Sequence, residues 1–187
     1  MNVPNLLTVA RILLVPVLVV ALLTNTGDGD LLAAVVFAAA SLTDALDGRL
    51  ARSRNSVTTF GKLMDPLADK LLIVSALVAL VSLGRLEAWV AMVIIAREFA
   101  VTVLRAAAGA QQGVVISASS FGKLKTATQV LMVMALIAFD EPPTWVSLLV
   151  YLTVAVTVLS GLDYFFGLRR RIDATRVVVK PSDHEAP

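Results

Sequence analysis

Apolar runs of roughly membrane-crossing length recur six times in this chain, each closed by a short polar or glycine-containing break. They cover approximately 5–24, 31–52, 60–83, 87–108, 120–139 and 143–166. About 20 apolar residues are what a helix needs to cross a bilayer. Lipid offers a backbone no hydrogen-bond partners, so each run must satisfy its own amide groups as a helix. The pattern therefore predicts an all-α membrane protein with six transmembrane helices. Composition agrees: 58% of the 187 residues are hydrophobic and 16% charged, and mean hydropathy is +0.84. An average soluble domain is about one quarter charged. Little chain remains for a soluble catalytic domain. One membrane catalytic domain is expected over 1–168, followed by a basic tail, 169–187, polar enough to be disordered.

The first run has no convincing small-residue cleavage site and is read as a retained helix. Pro16 is expected to kink it, with Asn5–Pro16 lying partly along the interface. Basic residues set the orientation. The first, third and fifth connections contain only Arg85 among lysines and arginines. The second and fourth, with their flanks, carry Arg49, Arg52, Arg54, Lys62, Arg105, Lys123 and Lys125, and the tail adds Arg169, Arg170 and Arg171. The positive-inside rule then puts both termini and the second and fourth connections in the cytoplasm. There is no cysteine, and the one histidine, His184, lies in the tail. Thiolate chemistry and histidine-based metal sites are therefore excluded, and no nucleic-acid partner is expected.

Four aspartates interrupt the second and third runs. Asp44 and Asp47 share a helical face with Gly48 and Ala51; Asp65 and Asp69 share one with Gly61 and Ala68. Counting inward from the intervening turn, the pairs reach matching depths of about 7.5 to 13.5 Å at a 1.5 Å rise. An aspartate near a bilayer centre costs about 2.5–3.5 kcal/mol on the mildest scale. Four hard oxygen donors on adjoining helices suit one or two Mg²⁺ or Mn²⁺ ions. An ion network that pairs helices, or a cation or proton pathway, are the other readings. The small residues beside the aspartates serve either tight helix packing or clearance for a ligand.

Taken together, Asp44-x-x-Asp47-Gly48-x-x-Ala51-Arg52, eight residues, then Gly61-x-x-x-Asp65-x-x-x-Asp69 resembles the motif of the CDP-alcohol phosphotransferase family. The resemblance implies a six-helix membrane fold, usually a homodimer, working on CDP-diacylglycerol with two divalent cations. It implies that Asp44, Asp47 and Asp65 are metal ligands, and that Asp69 is a ligand to the second metal and the general base. Gly48, Ala51, Arg52 and Gly61 would border the cytidine diphosphate group.

Three further stretches resemble the branch of that family whose acceptor is glycerol 3-phosphate. They are Pro4-Asn5-Leu6-Leu7-Thr8-x-x-Arg11, Ala96-Arg97-Glu98 with Arg105, and Gly122-Lys123-x-Lys125-Thr126. Chemically, Arg97 and Arg105 are eight residues apart on one helix face, and Arg97 falls near mid-membrane. With Lys123 and Lys125 they form a candidate pocket for the acceptor's phosphate. Alternatives stand beside this. The lysines could be positive-inside anchors, Arg97 could pair with Glu98, and Asn5 and Thr8 could cap the first helix, so Asn5, Thr8 and Arg11 are kept as site candidates. The same chemistry could serve inositol phosphate, serine or phosphatidylglycerol. Outside the class, a cation transporter gains nothing from the Gly, Ala and Arg spacing. A structural lipid-binding protein leaves the aspartates unexplained.

Overall fold

Each apolar run becomes one helix. The computed structural model describes the backbone over 3–24, 26–54, 59–112 and 120–178, and side chains over 9–24, 26–27, 29–43, 70–107, 122–167 and at 169. The helices are α1 (Val3–Leu23), α2 (Gly27–Arg54), α3 (Thr59–Ser82), α4 (Ala88–Gln112), α5 (Ser120–Ala138) and α6 (Thr144–Val178). The described residues are otherwise turns and short connections.

Two boundaries differ from the sequence expectation for local reasons. The second helix starts at Gly27 rather than near 31 because Thr26 caps it. Its Oγ1 accepts from Gly29 N at 3.1 Å, and its carbonyl accepts the first helical bond from Asp30 N at 2.9 Å. The glycines that read as a break thus lie in the first turn. The sixth helix runs through the basic cluster to Val178, so the boundary expected at 168 falls inside α6; Lys and Arg are good helix formers and let the helix continue. Residues 179–187 lie outside the described residues. Pro16 sits within an unbroken α1.

The third helix ends in a Schellman turn. Gly84 takes φ +72°, Arg85 N reaches back to Leu80 O at 3.0 Å, and Gly84 N to Val81 O at 3.0 Å. This turn delivers Arg85 into the protein. Its guanidinium is buried and binds Asp30 Oδ2 at 2.9 Å, the carbonyl of Ile137 at 3.2 Å, and the carboxylate of Asp140. Asp30 opens α2 and Asp140 links α5 to α6. One side chain therefore gathers the α1–α2, α3–α4 and α5–α6 connections at one end of the bundle. The last residues of α2 and α4 and the first of α3 and α5 lie toward the other end.

Two groups of helices result. One has α1 lying along both α2 and α3; the other has α6 lying along both α4 and α5; α2 against α5 and α3 against α4 join them. Leu18, Phe37, Leu77, Leu80, Ile94 and Met132 pack fully buried between them. At Gly29 the approach of α1 is so close that a Cβ would stand 2.7 Å from Ala21 O. Close backbone approach at a small residue is a common way for helices to associate in lipid, where burial of apolar surface gives no net drive.

In the second group a set of polar side chains is buried while large apolar ones face outward. On α6 the inward stripe begins with Val146 and Val150 and turns to Thr153, Thr157 and Ser160, all buried. Its outward face shows Leu148, Leu152, Leu159, Leu162, Phe165 and Phe166. The same inversion holds on α5, with Lys125, Thr128 and Gln129 buried and Leu131 exposed. By length and composition, α6 is apolar enough to cross a membrane over Thr144–Gly167, 24 residues of mean hydropathy 2.0. Shorter apolar stretches occur at Val9–Leu23, Gly29–Thr43 and Lys70–Ser82.

Candidate active site

The acidic motif lies at the end of the bundle away from Arg85. Asp44 and Asp47 fall in the last three turns of α2, which ends at Arg54, and Asp65 and Asp69 in the first three turns of α3, which begins at Thr59. Both pairs keep helical spacing, three and four residues apart, so each pair occupies one face. The side chains of Asp44, Asp47, Gly48, Ala51, Arg52, Gly61, Asp65 and Asp69 lie outside the described residues, as do those of Asn5 and Thr8. Among the described residues no cluster of three or more His, Cys, Asp or Glu could hold a metal. The donor set offered by the motif is four carboxylates, all hard oxygen, which fits Mg²⁺ or Mn²⁺ and not a soft metal.

The basic candidates can be placed side chain by side chain. Arg97 on α4 donates from Nη2 to Ser160 Oγ on α6 at 2.6 Å, and its Nη1 lies 3.6 Å from Glu98 Oε1. The same Glu98 oxygen accepts from the Lys125 ammonium of α5 and, at 3.5 Å, from Gln129 Nε2. Lys125 is 7% exposed and Gln129 2%, so this network is interior. Arg105, two turns beyond Arg97, sets its guanidinium carbon 5.5 Å from the centroid of the Tyr164 ring. Arg97 and Lys125 thus converge on Glu98, Arg105 stands exposed beyond them over Tyr164, and Lys123 is exposed. Two residues along a helix turn a side chain by about 200°, which separates the two lysines. Arg11, on α1, is also buried.

Pairing between α4 and α6 fixes the level of the site. Trp89 stacks near Tyr151 with centroids 6.3 Å apart, Arg97 meets Ser160, and Arg105 meets Tyr164. Residue numbers rise together on both helices, so the two run parallel. Ser160 lies about 24 Å along from Thr144 at 1.5 Å per residue. Arg97 is therefore about two thirds of the way along the apolar stretch, past its middle on the side of the acidic motif.

Among the described residues, positive charge at this site exceeds negative. Arg97 and Lys125 share the Glu98 carboxylate, Arg105 acts on Arg97 as a like charge, and Lys70, the residue after Asp69, is close enough to act electrostatically on Lys125. Interior charge in excess of its partners is costly, and an anion is what relieves it. Sequence reading missed the α6 contribution. Thr153, Thr157, Ser160, Gly161 and Tyr164 follow spacings of four, three, one and three, a polar stripe hidden inside the most apolar run of the chain. Average hydropathy conceals such a stripe; helical spacing would have exposed it.

A family model described as CDP-alcohol phosphatidyltransferase matches residues 1–159. The chain belongs to the CDP-alcohol phosphatidyltransferase family. Its relatives agree. A Bacillus subtilis CDP-diacylglycerol–glycerol-3-phosphate 3-phosphatidyltransferase is 42% identical over 88% of this chain and 93% of its own length. A probable phosphatidylglycerophosphate synthase of Mycobacterium tuberculosis is 41% identical over 94% of this chain and 85% of its own length. A Rickettsia felis protein with the same name as the Bacillus one is 35% identical over 90% of this chain and 96% of its own length. As a CDP-alcohol phosphatidyltransferase, the chain carries the acidic motif and the α4–α5 cations inside the matched segment. Ser160, Gly161 and Tyr164 lie just beyond it.

Proposed function

We propose that the chain transfers the phosphatidyl group of CDP-diacylglycerol to glycerol 3-phosphate, giving phosphatidylglycerol phosphate and CMP. The nucleotide-lipid half follows from the family. The acceptor half is carried by one observation, an excess of positive charge among the described residues: Arg97 and Lys125 share the single carboxylate of Glu98, and Arg105, exposed over the Tyr164 ring, adds a third cation beside Arg97. A neutral acceptor such as serine would leave that excess in place, whereas a phosphomonoester relieves it. The names of the relatives point the same way.

In the proposed site, Asp44, Asp47, Asp65 and Asp69 hold two divalent cations, Mg²⁺ or Mn²⁺. Bound there, the cations would neutralise the pyrophosphate and the departing CMP oxygen. Gly48, Ala51 and Gly61 leave room for the cytidine diphosphate group, and Arg52 meets its phosphates. Arg97, Arg105 and Lys125 hold the acceptor's phosphate, with Lys123 at the exposed rim and Asn5, Thr8 and Arg11 on the neighbouring helix. Asp69 takes the proton from the acceptor hydroxyl as its oxygen forms the new bond to the lipid-linked phosphorus. The bond from that phosphorus to CMP breaks in line. Six crossings, both termini and the site at the cytoplasmic face, one catalytic domain over 1–168 and a homodimer complete the proposal. Supporting the topology, Arg85 gathers the odd connections at one end, and the only basic residue of those connections is thereby paired with Asp30 and Asp140.

The test is CMP release by purified protein given CDP-diacylglycerol, Mg²⁺ or Mn²⁺, and each acceptor in turn. Release that requires glycerol 3-phosphate is expected. Release only with inositol phosphate or serine would overturn the acceptor, and metal flux without CMP would overturn the enzyme class.

A further inference from the structure

Two residues of α6 touch the arginines of α4 from behind, and neither carries charge. Ser160 Oγ accepts from Arg97 Nη2 at 2.6 Å, and the Tyr164 ring lies beneath Arg105 at 5.5 Å. Between them Gly161 has no side chain. A Cβ there would stand 3.3 Å from Arg97 Cγ and 3.8 Å from its Nε, so the arginine stem lies directly along α6. Arg97 and Arg105 act electrostatically on each other as like charges. Each has long, rotamer-rich freedom, and repulsion favours splaying them apart. Glu98 restrains Arg97 at the expense of cancelling charge. A serine hydroxyl and an aromatic face restrain without cancelling any, so both guanidiniums stay available to an anion.

We propose that Ser160, Gly161 and Tyr164 form a positioning wall for the acceptor pocket proposed above. They fix the directions in which Arg97 and Arg105 meet the acceptor's phosphate, and so govern acceptor affinity. Transfer from bound CDP-diacylglycerol does not pass through them. None of the three falls in the segment matched by the family model.

The test is steady-state kinetics of full-length protein in vesicles with both substrates varied. Ser160→Ala and Tyr164→Leu are expected to raise KM for glycerol 3-phosphate about five- to twentyfold. With them kcat and KM for CDP-diacylglycerol should stay within about twofold, which also reports that the variants fold. Ser160→Thr and Tyr164→Phe, which keep the hydroxyl and the ring, should restore most of the acceptor affinity. Gly161→Leu, which displaces the Arg97 stem but leaves its neighbours, should raise the same KM independently. An unchanged acceptor KM in these variants overturns the wall. So does a parallel loss in kcat and both KM values that the conservative variants fail to rescue. Arg97→Ala and Arg105→Ala separate the two levels. If they raise acceptor KM while the α6 variants do not, the wall alone is wrong; if they leave it unchanged, the pocket itself is misplaced and the wall falls with it.

Discussion

At the scale of single residues, Glu98 ties three side chains from α4 and α5 together. One of its oxygens receives Lys125, Gln129 and Arg97. Removing one member of a buried ion network leaves the others without compensation, which typically costs about 3–5 kcal/mol. Glu98→Ala should therefore lower stability by about 3 kcal/mol, read as an earlier thermal unfolding in detergent; a change under about 1 kcal/mol would mean the network carries little. Asp69 makes the opposite kind of prediction. Asp69→Asn should fold and bind CDP-diacylglycerol while kcat falls about 10²- to 10⁴-fold, the usual worth of a general base; turnover near wild type would remove Asp69 from proton transfer. The interior charges were legible in the sequence because a charge in an apolar run needs a reason. Two things were not. The chain direction alone could not assign Lys125 inward and Lys123 outward, and although helical spacing marks the stripe that holds Ser160 and Tyr164, it does not name their partners on α4, Arg97 and Arg105.

At the scale of helices, apolar runs and glycine breaks were enough to find all six elements, since in lipid a long apolar run has one stable backbone form. Ends were harder, because they depend on caps. Thr26 pulled the start of α2 back over two glycines that resemble a loop. Gly84 and Gly29 differ in kind and should differ in effect. Gly84 has open space around a Cβ but a left-handed backbone, so Gly84→Ala should cost only the conformational penalty, about 1 kcal/mol. Gly29 has an ordinary helical backbone but faces Ala21 O, so Gly29→Val must push α1 from α2 and should cost about 1–3 kcal/mol or more. Thermal unfolding of both variants side by side checks the order; Gly84→Ala being the worse would invert this account of the two turns.

At the scale of the whole molecule, the arrangement is a bundle with buried polar side chains on α4, α5 and α6, large apolar side chains facing outward, and Arg85 tying the end away from the acidic motif. The absence of native cysteine makes the orientation directly testable. Single cysteines replacing Thr26 or Glu141 should react with an impermeant thiol reagent from outside intact cells, and one replacing Lys123 only after the membrane is opened. Labelling of all three from the same side would contradict alternating crossings. The central claim is that the acidic pairs of α2 and α3 and the cations of α4 and α5 act on two substrates at once. Its most direct measurement is product analysis with purified protein in vesicles containing CDP-diacylglycerol, with glycerol 3-phosphate and Mg²⁺ added or withheld. The account predicts CMP and a lipid bearing a second phosphate in equal amounts, formed only when acceptor and divalent cation are both present. Undiminished turnover after chelation, or a lipid product lacking the second phosphate, would contradict it.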